Sequence, residues 1–217
     1  MFTSDQLKTR FVTLWSRSAI ADITPVDAVW HEIEGRHGEF HRHYHTLAHI
    51  GHCLTQIDSL DQATPHRDAI ELAIWFHDVI FDIGSKDNEE RSMAFFREQS
   101  RDRLPSPLVE RVSGLILATR HMALEDDPTA RYVVDVDLSS FGLPWAAFLK
   151  DSMALRMEDV LLDDAPYYTA KQSFLEGLLA RPRMYQTDHF YERHETQARA
   201  NISRYLKEYC LPALGSS

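Results

Sequence analysis

Cysteine is scarce in this chain. Cys53 and Cys210 are the whole supply, with no CxxC and no paired spacing, so neither a disulfide framework nor a thiolate zinc site is expected. No apolar run approaches the roughly 20 residues that a bilayer-spanning helix needs, so no membrane partner is expected. The opening Met1-Phe2-Thr3-Ser4-Asp5-Gln6 has neither the basic nor the apolar stretch of a secretory leader, and a cytoplasmic location is expected. Basic charge is not in excess either: 23 Lys and Arg stand against 33 Asp and Glu, a net charge of −10. Nucleic-acid binders carry a basic face. No nucleic-acid polymer is expected as partner, while a local basic pocket for a small phosphate is still allowed. The chain also lacks repeats, low-complexity linkers and alternating segments bounded by hairpin turns, and nothing in it bears on oligomeric state.

Helical periodicity fills the space these absences leave. Leu7, Phe11, Leu14 and Trp15 mark one apolar face after Ser4 as the expected N-cap. Thr24-Pro25 opens a second helix carrying Val26, Val29, Trp30 and Ile33, and Gly35-Arg36-His37-Gly38 breaks it. A third helix is expected from about Tyr44 to Leu60, with Leu47, Leu54 and Ile57 inward. A fourth runs from Thr64-Pro65 to His77-Asp78. Phe81 to Ser85 reads as a loop, and Asp87-Asn88-Glu89-Glu90 as an acidic first turn. Ser106-Pro107 starts the next helix, with Val109, Val112, Leu115 and Ile116 on one face and its end near His121. After the acidic turn Glu125-Asp126-Asp127-Pro128, Asp135 to Leu138 falls at or near the end of another. Beyond Pro144 three further helical stretches reach Cys210. The reading is all-α: a single-domain helical bundle over 1–217, with 1–40 and 145–217 as helical additions around a core.

His77-Asp78 is the most informative pair. It ends Ala69-Ile70-Glu71-Leu72-Ala73-Ile74-Trp75-Phe76, which reads as a buried helix. A buried carboxylate costs several kcal/mol unless something pairs with it, and a metal ion would use both side chains together. His45 and His49, four residues apart, are expected on one helix face, and Asp135-Val136-Asp137-Leu138 lies downstream. His49, His77, Asp78 and Asp137 form an ordered donor set on three helical segments. Two imidazoles and two carboxylates suit a divalent metal ion: Mn, Fe, Co, Ni, Zn or Mg. Asp135 is the rival of Asp137, since residues two apart on a helix cannot both face one ion well. His31, His37 and His41 match no ligand spacing and read as structural.

Asp82, Glu89 and His121 are candidates for orienting water or a ligating imidazole, although Glu89 is also an ordinary first-turn acid. Arg42, Lys86, Arg91 and Arg120, with His121 beside the last, are candidates for holding a phosphate. Glu195 and Arg199, four apart, read as a surface ion pair.

The ordered set resembles the HD-domain superfamily of metal-dependent phosphohydrolases. A longer series of motifs is similar to an uncharacterised bacterial family of about this length within it. That series comprises Arg42-His43-Tyr44-His45-Thr46 with His49, Phe76-His77-Asp78, Asn88-Glu89 with Ser92, Thr119 with His121, and Asp135-Val136-Asp137-Leu138. It continues through Arg183-Met184-Tyr185-Gln186-Thr187 and Glu195 to Ala198-Arg199-Ala200-Asn201. The resemblance implies an HD-type bundle with His49, His77, Asp78 and Asp137 as metal ligands. The Tyr44-His45 to His49 piece is also similar to a stretch of cyclic-nucleotide phosphodiesterases. That likeness makes His45 the proton donor to the leaving oxygen, with exchanged roles for the two histidines as the alternative. Asp78 and Glu89 complete the implied catalytic set. HD proteins with two metals usually carry two further histidines before the last Asp; this chain has only His121 there, and one ion per chain is expected. The implied activity is hydrolysis of a small phosphorylated compound, a nucleotide or another phosphate ester, by metal-activated water. A nucleotide-binding HD sensor that does not hydrolyse, and an HD-type iron oxygenase, are the alternatives.

Overall fold

The computed structural model describes residues 2–20 and 26–214. Its regular structure is helical, with no strand among the described residues. In chain order the helices are α1 (Ser4–Ser18), α2 (Val26–His37), α3 (Leu47–Asp58), α4 (Arg67–Phe76), α5 (Asn88–Ser100), α6 (Ser106–Ala118) and α7 (Pro128–Asp137). A 3-10 segment, Leu138–Gly142, is followed by α8 (Trp145–Glu158), α9 (Asp164–Ala180) and α10 (Asp188–Tyr205). A π-helical turn, Leu206–Cys210, and a last short turn, Leu211–Leu214, end the described chain. Two compact units divide it, Met1–Asp137 and Leu138–Ser217.

In the first unit α4 is the central element, packed by α1, α3, α5, α6 and α7. Every residue from Ala69 to Phe76 is buried, as the apolar run requires. Glu71 sits in that run because Arg10 of α1 reaches it with two hydrogen bonds, Nε to Oε1 at 2.8 Å and Nη2 to Oε2 at 2.9 Å. A paired buried carboxylate escapes most of its desolvation cost. Around α4 the aromatic rings interlock: Phe11 lies 5.5 Å from Trp75, Trp30 6.0 Å from Trp75, and Trp15 6.0 Å from Phe76. Each such ring contributes about 2 kcal/mol or more by leaving water. Helices α1 and α2 thus supply Phe11, Trp15 and Trp30 to this core.

Several helix ends differ from the sequence expectation. Thr3, not Ser4, caps α1, with its hydroxyl on Gln6 N and the Gln6 side chain returning to Thr3 N. Ser4 instead donates to Glu34 Oε1 at 2.6 Å, tying α1 to α2. The expected α2 start at Thr24-Pro25 lies outside the described residues. Helix α2 passes through Gly35 and stops only at Gly38, since burial of Val29, Trp30, Ile33 and His37 outweighs one interior glycine. Helix α3 begins at Leu47 with Thr46 as cap. Tyr44 and His45 therefore precede the helix, and Leu47 is only half-buried.

The second unit explains the C-terminal motif. Glu195 of α10 is buried, and its carboxylate accepts from the backbone N–H groups of Met184 and Tyr185, each at 3.0 Å. Arg199 Nε donates to the same carboxylate at 2.5 Å, while its other nitrogens bind the carbonyls of Leu179 and Arg181 at 2.9 and 2.7 Å. Asn201 Nδ2 donates to the carbonyls of Phe141 and Leu143 at 2.8 and 2.7 Å. Glu195 and Arg199 are thus not the expected surface pair. The loop between α9 and α10 folds over them and makes them its anchor. Glu195→Ala should lower stability by about 3 kcal/mol in denaturant unfolding, because two backbone donors and a guanidinium lose their acceptor. A change under about 0.5 kcal/mol would fit a surface pair instead.

Candidate metal centre

Three segments of the first unit converge. Helix α3 supplies His49, the end of α4 supplies His77 and Asp78, and Asp137 is the last residue of α7. His49 Nε2 and His77 Nε2 lie 3.3 Å apart. Asp78 Oδ2 is 2.8 Å from His77 Nε2 and 3.8 Å from His49 Nε2. Asp137 Oδ1 is 3.1 Å from His49 Nε2 and 3.4 Å from His77 Nε2. Ligand atoms about 2.1 Å from one ion and at right angles stand about 3 Å apart. The donor set fits a divalent ion, and His49, His77 and Asp78 form one metal-competent group.

The orientation of the donors fits as well. His77 is fixed by Nδ1, 2.9 Å from the Ile74 carbonyl. An Nδ1–H bound to a carbonyl turns Nε2 toward the cluster, the orientation that metal-ligating histidines use. The imidazole side chains are 1% exposed, while those of Asp78 and Asp137 are 16% and 15% exposed. Burial alone would push both carboxyls up. The facing His77 overrides it and holds both below the usual carboxylate range. His77 in turn is held above the ordinary histidine value by Asp78 and Asp137, against the cost of burial. Both carboxylates also stand at helix C-termini, where peptide dipoles add negative potential. The cluster demands positive charge.

Asp137 therefore takes the place for which Asp135 was the rival. Asp135, two residues back, is fully buried. His45 is not on the face of α3 but in the turn before it. Its Nε2 is 3.9 Å from Asp78 Oδ2, and its ring packs 4.3 Å from Phe81 and 5.1 Å from Tyr44. His121 Nε2 meets Asp137 Oδ2 at 2.8 Å. Glu89 lies in the first turn of α5, where burial and the charge of Asp78 push its carboxyl up.

The expected phosphate holders are placed differently. The Arg42 side chain is buried, with Nε on Glu39 at 2.9 Å and Nη1 on the Asp78 and His45 carbonyls at 2.5 and 3.2 Å. Its Nη2 donates to the Val79 carbonyl at 3.0 Å. A guanidinium so committed is a brace between the His45 turn and the His77-Asp78 turn. Arg120 pairs with Glu90 at 2.5 Å, and Arg91 with Asp82 at 2.6 Å, both at the surface. Lys86 is exposed in the loop before α5.

Two residues had no functional assignment from the sequence. Cys53, one turn after His49, puts Sγ 3.7 Å from His49 Nε2. Burial, with Asp137 and Asp78, pushes its thiol well up, and with His49 and Asp137 it forms a second group of side chains that could hold a metal ion. Its spacing from His49 was the available signal. His37, read as structural, is buried with Nδ1 3.2 Å from the His45 carbonyl, so it supports the turn that carries His45.

No protein-family model, curated protein or solved structure matches the chain. No described helix is long and apolar enough to cross a membrane.

His37 gives a pH prediction. Burial, with Arg42 nearby, pushes its imidazole down to about 3 from an ordinary value of 6.5. Between those values the unfolded chain binds a proton that the folded chain does not. This contribution is favourable to folding above about pH 6.5 and falls by at most about 1.4 kcal/mol per pH unit below it. His37→Gln should lose stability less steeply than wild type between pH 6 and 4. Equal slopes would contradict a neutral buried His37.

Proposed function

We propose that the protein is a metal-dependent phosphohydrolase acting on a small phosphorylated compound, a nucleotide or another phosphate ester. One observation carries the reading: two buried imidazoles 3.3 Å apart, faced by two partly exposed carboxylates 2.8–3.8 Å away. The four donors are those that the resemblance to HD-domain phosphohydrolases assigns to the metal. A divalent ion held there supplies Lewis acidity to a phosphoryl oxygen and to water.

The chain's own residues do the rest. His49, His77, Asp78 and Asp137 hold the ion, and the two carboxylates make the cluster negative. A phosphate is repelled by them unless the ion is bound, so substrate binding depends on the ion. His45, between Phe81 and Tyr44 and 18% exposed, is placed to give a proton to the leaving oxygen. Glu89, with its raised carboxyl pKa, orients water. Arg120 donates through Nε to the Leu117 carbonyl at 3.4 Å and pairs through Nη1 with Glu90 at the surface. Such a pair is worth about 0–1 kcal/mol, so Nη1 can exchange Glu90 for a phosphate oxygen. Lys86 is exposed for the same use. A long polyanion would meet a chain of net charge −10, so the substrate is small.

The test is a screen of nucleotides and other phosphorylated metabolites against the Mn, Co, Ni, Mg and Zn forms. Turnover of a small phosphate compound is expected, with weak binding of duplex DNA or long RNA. Tight nucleotide binding without turnover in any metal form would make the protein a binding module instead. Asp78→Ala and His49→Ala should lose metal on elemental analysis. His45→Ala should keep it while turnover falls about 10²–10⁴-fold. A metal-free His45→Ala with a metal-loaded His49→Ala would reverse the two roles.

A further inference from the structure

The chain leaves α6 through Thr119, whose hydroxyl caps the Ile116 carbonyl at 2.7 Å, and then turns at His121 with φ 56°. Left-handed backbone penalises any residue with a Cβ, and a helix exit of this kind ordinarily uses glycine or asparagine. Nothing in the exit itself calls for histidine. Two other non-glycine residues share a positive φ among those described, His66 and Asp102, and both are exposed. His121 differs from them. Its side chain is 11% exposed and its Nε2 lies 2.8 Å from Asp137 Oδ2.

Asp137 has two oxygens with separate partners. Oδ1 faces His49 Nε2 at 3.1 Å and His77 Nε2 at 3.4 Å, and Oδ2 faces His121. An aspartate at the end of a helix, with one side toward solvent, has other rotamers open to it. The helix terminus and the Asp78 carboxylate both repel it from the cluster. The contact from His121 selects the rotamer that keeps Oδ1 on the imidazoles.

We propose that His121 is a positioning residue for the metal centre: the chain accepts a strained left-handed backbone at 121 in order to hold the Asp137 carboxylate in its ligating orientation. The proposal rests on the metal-site reading above. Strain kept at a functional position, with its cost met by the surrounding fold, has this form. Because Nε2 is engaged by Oδ2, His121 acts through Asp137 and not on substrate.

The full chain is titrated with Co²⁺ alone by calorimetry, and the metal-free protein is melted in parallel, for wild type, His121→Gly and His121→Gln. His121→Gly removes the strain and the contact together. Its metal-free melting temperature should stay within about 2 °C of wild type or rise, while Co²⁺ affinity falls about 10–100-fold. His121→Gln keeps a side-chain N–H at similar reach and should recover most of the affinity. Wild-type Co²⁺ affinity in His121→Gly would overturn the proposal and leave the metal site standing. A drop in metal-free stability large enough to account for the lost affinity would also overturn it, since the role would then be structural. A wild-type chain that binds no Co²⁺ would overturn the metal-site reading and this proposal together.

Discussion

Negative charge is forced together in the first unit, and the site depends on how it is balanced. Asp78 and Asp137 meet at the ends of α4 and α7, where the helix dipoles are also negative. Their neighbours are two imidazoles with almost no exposure. Protonating His77 balances this charge in part, and a divalent ion held by these side chains would balance it more fully. A helix N-terminus is a ready anion site; two C-termini with carboxylates are its opposite. That sign ties the chemistry to a cation before any substrate is considered.

The frame around the cluster keeps its donors from relaxing away. Helix α4 is locked by the aromatic contacts of Phe11, Trp15 and Trp30 and by the Arg10–Glu71 pair. Arg42 holds the carbonyls of His45, Asp78 and Val79 on one guanidinium, and His37 adds a second contact to the His45 carbonyl. The turn carrying His45 and the turn carrying His77 and Asp78 are thus held in register by buried hydrogen bonds, which are costly to break. Two of these supports are themselves ionisable groups with little access to water. The local cost of their burial is the stability given up to fix the geometry.

Much of this was legible in the sequence. The helical periodicity predicted an all-α chain, and the apolar run before His77-Asp78 predicted a buried helix with a polar end. What sequence could not resolve was direction. Asp135 and Asp137 are equivalent in a pattern, and only the rotation of α7 brings Asp137 to the imidazoles. Arg42 stood beside the motif and read as a phosphate holder, yet proximity along a chain says nothing about burial, and its guanidinium is committed to carbonyls. Glu195 and Arg199 had the spacing of a surface pair because the loop that covers them is remote in sequence. Thr46 as a cap separated His45 from α3, which helix periodicity alone does not reveal.

The central claim is that one ion is held by two imidazoles and two carboxylates, with the Cys53 thiol beside them and uncoordinated. X-ray absorption of the cobalt-loaded full chain tests it most directly. The account predicts nearest neighbours that are all nitrogen or oxygen, with the outer scattering of two imidazole rings. A sulfur neighbour, or a spectrum without imidazole scattering, would contradict it.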